Sequence, residues 1–146
     1  MNVQGTMNWA GDVAKMFSRI ILNKATYKET YTLATAEHHS WEQIANYYKE
    51  IIGLKFIVTD MDTYLSFMGL TSDKRPAYQL MYDRCFNRII DNSKILQVTG
   101  LKQSDFISLI DGLKKELSVL SKNTVWSDTS INEKMDKWLR EQNTNI

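Results

Sequence analysis

The chain has one proline, one cysteine and six glycines, and the glycines stand singly at 5, 11, 53, 69, 100 and 112. No glycine-rich turn forms from that spacing, so the backbone has no phosphate-cradling loop of the kind that holds a dinucleotide or a nucleoside triphosphate. The lone Cys85 excludes a disulfide framework, suits a reducing compartment, and in the apolar stretch AYQLMYDRCF is expected to be a small buried residue. Charge of one sign is lacking too, with 18 basic against 17 acidic residues and a formal charge of +1. That balance points to no nucleic-acid partner and no anionic membrane surface. No apolar run is long enough to span a bilayer, and the opening MNVQGTMNWAGD has neither a basic leader nor an apolar core, so the expected compartment is cytoplasmic. Neither a G-x-S-x-G elbow nor an H-E-x-x-H pair occurs, and the adjacent His38 and His39 cannot share a helix face as paired metal ligands do. They are expected in a solvated loop.

What is present is an ordinary globular composition, 43% hydrophobic over 146 residues, which is enough for a single domain with its own core. DVAKMFSRIILN reads as an amphipathic helix started by Asp12, with Val13, Met16, Phe17, Ile20 and Ile21 on its apolar face. Tyr31 and its neighbours in ETYTLAT predict a short strand. Ser40 and Gln43 have capping-box spacing ahead of a helix that Gly53 closes, with Trp41 expected as a large buried anchor. KFIVT and RIID predict two further short strands. TDMD after KFIVT has the look of a magnesium-binding or phosphatase strand end, but the spacing of Thr63 departs from it, and Asp60 or Asp62 is read as a helix cap. LTSDKRP is expected to be a mobile loop opening a helix at Pro76. Asp91, Asn92 or Ser93 caps a short helix before Gly100, and another is expected to start at Ser104, with Gly112 costing it about 1 kcal/mol. Residues 121–130 read as a linker, and Ser130 with Glu133 as a second capping box for the terminal helix.

Three stretches, taken in order, resemble the C-terminal part of the extended short-chain dehydrogenases/reductases, the NAD-dependent epimerase/dehydratase group. NWAGDVAKMF is similar to that family's helix after the substrate loop. ETYTLATAEHHSWEQI is similar to its next strand, loop and helix, and RIIDNSKI to its D-x-S-K segment. The departures are as specific: the glycine-rich turn is missing, and none of the tyrosines at 27, 31, 47, 48, 64, 78 and 82 has a lysine four residues on.

The resemblance implies an α/β chain, mostly helical with two or three short strands, forming the substrate-binding C-terminal part of a Rossmann-type oxidoreductase without its dinucleotide-binding core. On that reading the partners are a small-molecule substrate, often a nucleotide sugar, and a separate N-terminal dinucleotide-binding domain; a homo-oligomer is compatible with it. The chain holds no cofactor itself, and NAD or NADP is expected for the whole enzyme. No catalytic residue and no metal ligand is named. Candidate substrate contacts are Trp9, which could stack on a ring, and Lys74, Arg75 and Arg88, which could pair with phosphate or carboxylate. The rival expectation is a non-enzymatic protein-interaction domain.

Overall fold

The computed structural model describes residues 3–67, 74–120 and 129–143, with the side chains of 74–76, 131 and 143 also outside the description. The chain is mostly helical with one two-stranded antiparallel sheet. It divides into two compact units, one of residues 1–56 with 84–119 and one of 57–83 with 120–146.

In the first unit, β1 (Gln4–Gly5) pairs with β2 (His39–Ser40), Gln4 opposite Ser40 and Gly5 opposite His39. Helix α1 (Ala10–Ile20) lies against α5 (Ser93–Thr99), and α2 (Trp41–Ile52) against α6 (Leu109–Ser118). Met16, Ile44, Ile95 and Leu109 form the apolar centre, together with Val3 and Ala34. The expected capping box at Ser40 and Gln43 is in place, and Gly53 closes α2 at φ 70°, a conformation glycine adopts without a Cβ clash.

Asp12 does not start α1. Trp9 occupies the cap position, and Asp12 is one turn in and wholly buried, where its carboxylate accepts from Ile107 N–H at 3.0 Å and from Lys15 Nζ at 2.8 Å. Where a helix is expected from Ser104 the chain makes a 3-10 turn, Gln103–Asp105, and α6 begins at Leu109 with Ser108 as its cap; between the two, Ile107 N–H is taken by Asp12. Of the predicted apolar face, Met16 is buried while Phe17 and Ile21 are exposed.

None of the three predicted strands forms. The carbonyl of Ala34 is taken by Asn92 Nδ2, the N–H of Thr35 by Asn8 Oδ1 and the carbonyl of Thr30 by Lys94 Nζ, so side chains satisfy the backbone that a neighbouring strand would have paired. Residues 88–90 run beside β1, with Arg88 N–H donating to Gln4 O at 2.8 Å, but Ile90 N–H goes to the His38 ring and the ladder stops. The KFIVT segment meets no strand among the described residues. The sheet forms instead from residues with little β preference, fixed by tertiary context.

In the second unit, α3 (Met61–Phe67) and α7 (Ser130–Asn143) meet through an edge-to-face contact of Phe67 and Trp138 at 5.4 Å. Asp60 caps α3 as expected, accepting from Thr63 N–H at 2.8 Å and from the Thr63 hydroxyl at 3.1 Å. The cap of α7 sits one residue earlier than predicted, since the Thr129 hydroxyl donates to Glu133 and Glu133 N–H to the Thr129 carbonyl. Helix α4 (Lys74–Gln79) leads into a single π-helical turn, Leu80–Arg84. Of the predicted mobile loop LTSDKRP, residues 70–73 lie outside the described residues and 74–76 are helical, so α4 opens at Lys74 and not at Pro76; the linker at 121–128 also lies outside the described residues.

Candidate functional site around Trp41 and His39

Directly opposed residues of an antiparallel pair point to the same face, so Gly5 leaves a gap beside His39. Arg88 fills it: a Cβ on Gly5 would stand 3.1 Å from Arg88 Nη2. The Arg88 guanidinium lies 5.8 Å from the centre of the Trp41 ring and the Arg84 guanidinium 5.9 Å, and Trp41 Nε1–H donates to the Arg84 carbonyl at 3.3 Å. Trp41 is 39% exposed, which corrects the expectation of a buried anchor: its ring is an accessible plane flanked by two cations.

The two histidines are not in a solvated loop. Both are half-buried, and His38 Nε2 accepts from Ile90 N–H at 2.9 Å. His39 bridges Glu37 Oε2 and the Tyr47 hydroxyl, each at 3.2 Å. A carboxylate only accepts, so Nε2 carries the proton and Nδ1 accepts from Tyr47. Glu37 Oε2 is itself fixed by Leu109 N–H at 2.7 Å, at the first residue of α6. Glu37 and His39 lie in the stretch leading into α2, and Trp41 is the first residue of that helix. The arrangement brings two guanidinium groups over one indole ring, beside a Glu–His–Tyr hydrogen-bond chain.

Of the candidates named from sequence, Arg88 belongs to this group. Trp9 does not: its Nε1–H donates to Glu116 at 2.6 Å, Lys115 Nζ stands 4.1 Å from the ring centre, and a side chain on Gly11 would collide with the ring. A Cβ on Gly112 would lie 3.0 Å from Trp9 Cβ, so the glycine that weakens α6 as a helix is what lets Trp9 pack on it. Lys74 and Arg75 open α4, and their side chains lie outside the described residues. Arg84, Trp41, His39, Tyr47 and Glu37 were missed as site residues. The available signal was the placing of Glu37 and His39 just ahead of a capped helix that Trp41 opens.

Among the described residues the glycines stand apart from one another. Gly11, the glycine in the first turn of α1, has the Trp9 ring packed over it, and Gly53 and Gly100 are helix ends at positive φ. Among the described residues no cluster of metal-ligating side chains occurs, and no helix is long and apolar enough to cross a membrane. No protein-family model matches the chain, and no curated protein or solved structure matches it.

Proposed function

We propose that this chain is the substrate-binding portion of an NAD(P)-dependent epimerase, dehydratase or reductase, acting on a nucleotide sugar or a related anionic small molecule. The supporting observation is the Arg84–Trp41–Arg88 group, because a phosphate needs fixed cations and a sugar or base ring stacks on an aromatic face. The interlocking of the family-like stretches agrees with it: Asn8 holds Thr35, and Asn92 holds Ala34, so the segments that carry the resemblance form one scaffold. On this reading the Rossmann-type core, the cofactor and the proton-transfer residues belong to a separate dinucleotide-binding domain, and this chain supplies the opposite wall of the cleft.

Calorimetric titration tests the reading. A uridine or guanosine diphosphate sugar binds weakly, Arg84→Gln and Arg88→Lys each reduce the affinity by about tenfold, roughly the loss of one charge-assisted contact, and NAD(H) gives no tight binding. A nucleotide sugar that gives no heat, or an NAD dissociation constant at or below about 10 μM, roughly −7 kcal/mol, defeats it. A protein-interaction domain is the second reading, favoured by exposed Tyr78, Met81 and Tyr82. It predicts no response to any nucleotide.

A further inference from the structure

Between Asp12 and Glu29 the chain carries Lys15, Arg19, Lys24 and Lys28 and no acidic residue. The near-zero net charge of the whole molecule averages this asymmetry away. The end of α1 and the residues after it fold into a compact knuckle. Asn23 N–H closes a turn on Ile20 O at 3.1 Å, and Glu29 N–H closes another on Thr26 O at 3.3 Å. The Thr26 hydroxyl clamps the knuckle, lying 2.9 Å from Ile20 O and 2.7 Å from Asn23 O.

The third positions of these two turns are Leu22 and Lys28, at φ 61° and 64°, where glycine is the favoured residue. Leu22 is 84% exposed, and Ile21 and Tyr27 beside the turn tips are exposed as well. Leu22 thus sits in water on a backbone that favours a residue with no side chain, beside an exposed Ile21. The charges around them are uncompensated. Glu29 is held by Lys94 at 2.8 Å, Lys15 by Asp12, and among the described residues Arg19, Lys24 and Lys28 make no ion pair.

We propose that this knuckle docks on an anionic lipid bilayer, with Ile21 and Leu22 entering the head-group boundary and Arg19, Lys24 and Lys28 lying over the head groups. Lysine is depleted from protein–protein interfaces, whereas lysines flanking an apolar tip are what an anionic leaflet attracts. Tyr27 suits the same boundary, with an apolar ring and a polar end. A flat lipid surface needs no matching groove, only a protruding tip with its own charge.

The test is co-sedimentation of the whole chain with vesicles of phosphatidylcholine alone and of phosphatidylcholine with about 30% phosphatidylserine, at low and at physiological salt. Partition onto the anionic vesicles is expected to exceed that onto neutral ones by about tenfold or more and to weaken with salt. Lys24→Glu with Lys28→Glu is expected to abolish the preference. Leu22→Gly removes the apolar side chain while suiting the backbone, so it is expected to stay folded and still lose several-fold in partition. Equal partition onto both vesicle types, or a Leu22→Gly chain that partitions like the parent, overturns the proposal. Absence of binding to either overturns it as well and leaves the knuckle to an acidic protein surface.

Discussion

The two units are held by different kinds of interaction. In the first, polar side chains reach backbone groups far away in the sequence: Asp12 to Ile107, Asn8 to Thr35, Glu37 to Leu109, His38 to Ile90 and Asn92 to Ala34. Among the described residues of the second, the bonds at the helix starts are local, within Asp60–Thr63 and Thr129–Glu133, and the two helices meet at the Phe67–Trp138 ring contact. A unit with so little sheet satisfies its irregular backbone with buried carboxylates and amides, and each of these becomes a point of failure.

The comparison breaks most visibly at Asp12. Asp12→Ala leaves Ile107 N–H without its acceptor where a wholly buried carboxylate stood, and about 3 kcal/mol of stability is expected to be lost; Lys15 is half-exposed and keeps its bond to the Asp105 carbonyl, which holds the loss below that of a fully buried pair. Urea denaturation checks it, and a loss under about 1 kcal/mol contradicts the bracing role. Asn92→Ala removes bonds to Ala34 O and Gln103 Oε1 and is expected to cost about 2 kcal/mol by the same measurement. Trp138→Ala, on a half-buried ring, is expected to cost about 1–2 kcal/mol and to shift the Phe67 resonances. Unchanged Phe67 resonances contradict the ring contact.

What was legible in the sequence follows the same division. Local signals read true: the Ser40–Gln43 box, Gly53, the Asp60 cap and the short helix ending at Gly100 all depend on residues within a few positions of one another. Several errors came where a distant side chain decides, although the cap of α7 was misplaced by one residue through the local Thr129. Nothing in ETYTLAT says that Asn92 and Asn8 will occupy its backbone, and nothing near Ser104 says that Asp12 will take the Ile107 N–H. For the site, Arg88 was readable as a cation in a family-like segment. Its neighbours were not, since Arg84 and Trp41 are 43 residues apart in the bond that joins them, and Gly5 gives no hint that Arg88 will fill its gap.

The smallest effect expected is with pH. The backbone N–H of Thr63, and then its hydroxyl, hold the Asp60 carboxyl below its ordinary value of 3.8. A depressed carboxyl contributes fully above that ordinary value and loses its contribution as the pH falls through the lowered one. Acid titration is therefore expected to release the Thr63 amide only below the ordinary aspartate range, and the Ser93 amide likewise, because Ser93 N–H lowers Asp91 in the same way. Release at or above the ordinary value removes this account of both caps.

The most direct test of the bracing account is native-state hydrogen exchange at the amides of Thr35, Ile90, Ile107 and Leu109, each donated to a side chain rather than to another backbone group. They are expected to exchange as slowly as the helical core amides around Ile95, with the Ile107 amide becoming fast in Asp12→Ala. Exchange of these amides in the native protein at the rates of an unstructured peptide would contradict the claim that side chains, and not strands, hold this unit together.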